Sequence, residues 1–69
     1  MSDHVYRVTE VVGSSPDSIH QAIRNGVSRA AHTVRNVEWF EATEIRGRVV
    51  DGEVDTFQVT IKVGFRLEE

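Results

Sequence analysis

From Thr56 to Leu67 apolar and polar side chains alternate without a break: Phe57, Val59, Ile61, Val63, Phe65 and Leu67 against Thr56, Gln58, Thr60, Lys62, Gly64 and Arg66. Successive side chains of a strand point to opposite faces, so this run predicts a long β-strand with one face on a core and the other toward something polar. Asp51-Gly52 just before it is a dipeptide that closes two-residue hairpins. Glu38 to Val50 then supplies the antiparallel partner. With a two-residue turn, Trp39 falls opposite Gly64, Phe40 opposite Val63, Glu41 opposite Lys62 and Ala42 opposite Ile61. Nearer the turn the same register sets Glu44 against Val59, Ile45 against Gln58 and Arg46 against Phe57. Glu41 and Lys62 are then expected to form a cross-strand ion pair.

The apolar face needs a cover, and the first half of the chain provides one. Val5 to Val12 is rich in β-branched residues and reads as a first strand. Gly13-Ser14-Ser15-Pro16 interrupts it. Ser15 is the expected N-cap, with Pro16 at the first helical position and Asp17 near the positive end of the dipole. The helix is expected to run to about Asn36. Ile19, Ala22, Ile23, Gly26, Val27, Ala30 and Val34 make a one-sided apolar stripe. Gly26 costs a helix about 1 kcal/mol relative to alanine, and its place on the stripe implies close backbone packing. Arg24, Arg29, His32 and Arg35 lie on the opposite or flanking surface. The expected fold is α+β: one domain over residues 1–69, with β-α-β-β order and a three-stranded antiparallel sheet packed on one helix.

Such a chain is short of core. A domain of this length buries only about 60% of the surface its unfolded form exposes, and small domains of this kind rely on disulfides, a metal or self-association. There is no cysteine, and His4, His20 and His32 have no metal-site spacing. Self-association is the remaining staple. Apolar side chains expected beyond the helix's reach, at Phe57 and Val59 near the turn, and Trp39 and Ile45 on the face away from the helix, point the same way. The bland reading is a hairpin that curls around its own helix.

Composition narrows the partners. The net charge is −3, from eight basic and eleven acidic residues, which argues against a nucleic-acid surface. No apolar run approaches the roughly 20 residues of a membrane span. Met1-Ser2-Asp3-His4 does not resemble a signal peptide, so a cytoplasmic location is expected. No nucleophile-histidine-acid arrangement, phosphate-binding glycine motif or histidine-carboxylate metal pattern is visible. Glu41 and Glu44, three apart on a strand, are expected on opposite faces and so form no acid–base pair. An enzyme is not expected.

Three features remain. Trp39 presents an aromatic plane on the face away from the helix, suited either to anchoring a subunit contact or to stacking on a flat ligand. Gln58 offers an amide donor and acceptor side by side, a match for a heterocycle with adjacent N–H and C=O, or an ordinary exposed glutamine. Arg46, Arg48 and Arg66 suit phosphate clamps or surface ion pairs equally.

Val37-Glu38-Trp39-Phe40-Glu41, Glu44-Ile45-Arg46-Gly47, Phe57-Gln58-Val59 and Val63-Gly64-Phe65-Arg66-Leu67-Glu68, with the Val12-Gly13-Ser14-Ser15-Pro16 entry to the helix, together resemble the dodecins. The resemblance covers nearly the whole chain. It implies a hollow, cage-like homododecamer that binds flavins, with paired rings stacked between tryptophans of symmetry-related subunits. Carried over by position, it gives Trp39 the stacking role and Gln58 the hydrogen bond to the ring, with Arg46 and Arg66 as flavin or phosphate contacts. FMN is the implied flavin, with riboflavin or FAD as relatives and coenzyme A as a further ligand. The expected role is flavin storage and photoprotection. A ligand-free structural cage, a coenzyme A or nucleotide-binding module and a flavoenzyme are the rivals. In the register above, Trp39 and Gln58 are separated by about 20 Å, so different subunits are expected to contribute them to one site.

Overall fold

The computed structural model describes residues 3–68. Met1 and Ser2, half of the N-terminal stretch read above as unlike a signal peptide, and Glu69 lie outside it. The elements run β1 (Tyr6–Ser15), α1 (Ile19–Thr33), β2 (Val37–Val50) and β3 (Glu53–Arg66). All strands are antiparallel in the order β1-β3-β2. The alternating strand therefore sits at the centre, hydrogen-bonded on both sides. Its odd-numbered residues Val59, Ile61 and Val63 are fully buried beneath α1, where Ala22 and Ala30 complete the core.

Two boundaries move. β1 continues through Gly13 to Ser15, because this segment stays paired with β3, Gly13 opposite Val59 and Ser15 opposite Phe57. Ser15 is buried and accepts a hydrogen bond from the Asp17 amide (2.9 Å), which turns the chain but does not cap the helix. The cap is Ser18, in extended backbone, whose hydroxyl accepts from the Gln21 amide at 2.9 Å. At the other end α1 stops at Thr33. Asn36 adopts left-handed φ (66°) and ties the helix exit to β3, with its carbonyl accepting from the Arg66 amide at 3.0 Å.

Glycine decides how closely helix and sheet approach. A Cβ on Gly13 would meet the Ala22 carbonyl oxygen at 2.0 Å, and one on Gly26 would lie 3.2 Å from Gly13 Cα. The two backbones cross almost in contact, as the place of Gly26 on the stripe implied. The Asp51-Gly52 turn also forms as expected, both residues having positive φ (53° and 78°), the signature of a type I′ hairpin turn.

Between turn and helix the hairpin register differs from a regular ladder. Val50 opposite Glu53 and Val49 opposite Val54 follow the turn, and Trp39, Phe40, Glu41 and Ala42 pair as expected. In between, Asp55 is an extra residue in β3 and Thr43 an extra residue in β2. The two bulges cancel in register but turn over the segment they enclose. Ile45 is opposite Val59 and faces the helix side; Arg46 is opposite Gln58 and faces away. Both had been expected on the other face. Glu44 turns over too and shares the outer face with Glu41. Glu41 and Lys62 are paired in register, but among the described residues the ion pairs are Arg35–Glu68, Arg46–Glu44 and Arg66–Glu38.

The helix covers β1 and β3 and leaves β2 beyond Val37 exposed. Val59, expected to be wet, is fully buried. Phe40, Ile45, Val49 and Val54 instead form an apolar strip on the helix side of the hairpin, 51 to 65% exposed. The molecule measures 56 × 19 × 14 Å with a radius of gyration of 14.3 Å, where a compact chain of this length has about 11 Å. Its accessible surface is 5189 Å² against about 4,400 Å² for a compact monomer of this mass. The excess belongs to an arm that its own helix does not reach.

Candidate functional site

The outer face of the sheet carries two groups of polar and aromatic side chains. At one end, Trp39 pairs with Gly64 in the centre of the sheet. An alanine Cβ at Gly64 would sit 2.0 Å from Trp39 Cε2 and 2.2 Å from Cζ2, so the indole lies flat on the β3 backbone where a side chain would otherwise stand. Gly64 is buried under it, while Trp39 remains 41% exposed on its other side. An aromatic ring laid on a strand glycine is held by the sheet itself. The result is a rigid plane with one face spent on the protein and one turned outward.

Tyr6 borders this plane, and Glu38 and Arg66 form a polar cluster beside it. The Tyr6 ring leans on Trp39 with centroids 6.4 Å apart and planes at 57°, within the range of favourable aromatic pairs. The Tyr6 hydroxyl donates to Glu38 Oε1 at 3.0 Å, and Arg66, directly across from Tyr6, reaches Glu38 Oε2 at 3.5 Å. Glu38 is itself the extra residue of a bulge next to Trp39, which is why its carboxylate reaches this cluster. The hydrogen bond to Glu38 and that carboxylate's charge raise the Tyr6 pKa above its ordinary value, and Arg66 opposes this. Tyr6 was not singled out from the sequence: a tyrosine at the start of a strand carries no signal until its neighbour across the sheet is known.

At the other end Gln58 lies between Arg46 on β2 and Ser14 on β1. Arg46 donates to Glu44 Oε1 at 2.6 Å along the same face. Thr43, the bulged residue that turns Arg46 to this side, is pinned by its hydroxyl to the Thr60 carbonyl at 3.2 Å. Of the four residues expected to hold a ligand, the structure thus joins Trp39 to Arg66 and Gln58 to Arg46. It does not join the pairs: Gln58 and Gly64 are six residues apart on β3, about 20 Å of strand.

The same architecture recurs in known proteins. The dodecin family model matches residues 5–68. The curated dodecin of Thermus thermophilus is 45% identical over 65 residues, 94% of each chain. Dodecin structures from Streptomyces coelicolor and Streptomyces davaonensis superpose with a TM-score of 0.93 each. They are 59% and 56% identical, covering 100% and 99% of this chain and 99% and 100% of theirs. A match spanning almost every element leaves no part of the fold unaccounted for, and the chain belongs to the dodecin family. It is a small β-α-β-β protein whose helix is cradled by a three-stranded antiparallel sheet, with no helix among the described residues long and apolar enough to cross a membrane.

Proposed function

We propose that this chain stores flavin, without turnover, at contacts between copies of itself. The observation that carries this reading is the indole of Trp39, clamped on Gly64 with its outer face free. An electron-rich plane held rigid stacks on an electron-poor isoalloxazine without losing further conformational freedom. A bound flavin supplies a light-absorbing, electron-accepting ring. Trp39 quenches its excited state by giving up an electron at contact distance and taking it back. The amide of Gln58 offers the paired donor and acceptor that the pyrimidine edge of the ring requires. Arg46 beside Gln58 and Arg66 beside Trp39 are both in exposed ion pairs of small worth, so either can turn to a ligand's phosphate, as in FMN.

The separation of about 20 Å between the two groups makes the site composite. One copy contributes the stacking plane and another the amide, with a second Trp39 closing the stack from the other side. The uncovered strip of Phe40, Ile45, Val49 and Val54 supplies apolar contact area for assembly, and a closed dodecamer is the assembly proposed. Such a site covers the ring on both faces. Storage and protection from light, not catalysis, follow from that enclosure. The location proposed is the cytoplasm, where flavin nucleotides are made.

The test is a titration of FMN and riboflavin with the purified assembly, following flavin emission, alongside its mass in native solution. Emission should fall to a small residue until two flavins are bound per pair of stacked tryptophans, and Trp39→Ala should abolish the effect. Quenching that survives Trp39→Ala, or no binding by a large assembly, refutes the reading. Binding of coenzyme A that is indifferent to Trp39 would favour the nucleotide-cage rival.

A further inference from the structure

Trp39 does not stand alone as an oxidisable group. Tyr6 touches it, and the phenol of Tyr6 is already hydrogen-bonded to a carboxylate, Glu38 Oε1, at 3.0 Å. These are the chain's only tryptophan and only tyrosine. Their contact across β1 and β2, two strands that are not neighbours in the sheet, is made possible by Gly64 between them: it pairs with Val8 on one side and Trp39 on the other and has no side chain to separate the rings.

We infer that Tyr6 and Glu38 form a relay that returns an electron to oxidised Trp39, with Glu38 as the acceptor of the phenolic proton. The inference rests on the reading of Trp39 as electron donor to a photoexcited flavin, which is the oxidant. When Trp39 has lost one electron, its indole is a radical cation. Tyr6 passes one electron to it across the ring contact. At the same time the phenolic O–H bond breaks and the proton forms a new O–H bond on Glu38. Trp39 is restored, Tyr6 is a neutral phenoxyl radical and Glu38 a neutral acid. When the electron comes back from the flavin to Tyr6, the proton returns from Glu38 and nothing is consumed.

Two physical reasons favour this direction. A phenol that loses its electron and proton together avoids the charge that an indole radical cation must carry, so the hole runs downhill from Trp39 to Tyr6 only where a base is in place. The base is in place, with Glu38 Oε1 already accepting from the Tyr6 hydroxyl at 3.0 Å. The raised pKa of Tyr6 means that the phenol keeps its proton until the electron leaves. The consequence is protective. A lone indole cation is open to irreversible attack by oxygen or water; moving the hole to Tyr6 shortens its life.

The decisive measurement needs no flavin. Azide radicals made by pulse radiolysis oxidise tryptophan selectively, and indolyl and phenoxyl radicals have separate visible bands. In the native assembly the indolyl band should decay in a first-order, concentration-independent step as the phenoxyl band grows. Tyr6→Phe should remove that step and leave a long-lived indolyl radical. Glu38→Gln keeps a hydrogen-bond acceptor but removes the base, and should slow transfer by about a hundredfold, the usual scale for losing a positioned general base. An indolyl radical that persists in the native protein overturns the relay. Equal rates in the native protein and Glu38→Gln overturn the assignment of the proton to Glu38. If the transfer occurs in a protein that fails to quench FMN, the relay stands and the flavin reading falls. In FMN-loaded protein under prolonged blue light, Tyr6→Phe should show faster oxidative modification of Trp39 by mass spectrometry; an unchanged rate would deny the relay its protective role.

Discussion

Replacing Gly64 with alanine isolates the platform from the rest of the fold. The new Cβ would lie 2.0, 2.2 and 2.5 Å from Cε2, Cζ2 and Cδ2 of Trp39, where carbon atoms at rest are about 3.5 Å apart. Something must move by more than an ångström. The β3 backbone is hydrogen-bonded on both sides, so the indole is the part that yields. Trp39 is 41% exposed, so of the roughly 200 Å² that a tryptophan buries when fully covered about 120 Å² is covered here, worth about 3 kcal/mol at about 25 cal/mol per Å². Some contact with Tyr6 survives the displacement, which leaves an expected loss of about 2 kcal/mol. In a Trp39→Ala background the obstacle is gone, and alanine in a strand is favoured over glycine by about 0.5 kcal/mol. Urea unfolding of the four proteins at one fixed protomer concentration should therefore show Gly64→Ala destabilising with Trp39 present and mildly stabilising without it. Tryptophan emission of the single variant should shift to the red. An equal loss in both backgrounds would mean that the clash lies elsewhere and that the indole is not clamped on Gly64.

Gly13→Ala should be far more damaging, because its Cβ meets backbone, the Ala22 carbonyl oxygen at 2.0 Å and the Gly26 nitrogen at 2.9 Å. A loss at or above the roughly 3 kcal/mol upper range for overpacking is expected, read as a large fall in the urea midpoint by circular dichroism, and a shift within 0.5 kcal/mol of native would refute the close crossing. Tyr6 makes a prediction in pH. Its folded pKa lies above the unfolded value of 10.0, so the folded state holds the proton more tightly. The stabilisation is complete below pH 10.0 and is lost as pH rises through the folded pKa. Ultraviolet titration of the phenol should show a midpoint above 10.0 that returns toward 10.0 in Glu38→Gln, and Tyr6→Phe should flatten the alkaline part of the stability curve.

Local patterning made much of this molecule legible. The unbroken alternation from Phe57 to Leu67 required a strand buried on one side, Asp51-Gly52 required a tight turn, and the stripe with Gly26 required a helix lying close to a sheet. Each depends only on neighbours in sequence. The N-cap was misplaced for a related reason: Ser15 and Ser18 are equally good caps by composition, and the choice fell to Ser18 because Ser15 is held in the sheet opposite Phe57.

What only the tertiary structure decided is which side chains share a face. A bulge is one residue with no distinctive composition, yet Thr43 and Asp55 together turn over the segment between them, bringing Arg46 to Gln58 and sending Ile45 to the helix side. The periodicity of a strand is two, so a single extra residue reverses every side chain beyond it until a second restores the order. The contact of Tyr6 with Trp39 is likewise a product of strand order, because only a central β3 with glycine at position 64 lets rings from its two flanking strands meet. Sequence alone determined the elements, the turn and the aromatic plane, because short-range sterics and burial specify those. The grouping of Arg46 with Gln58 and of Tyr6 with Trp39 was set by hydrogen-bond register and strand order across the sheet, long-range properties that no window of sequence contains.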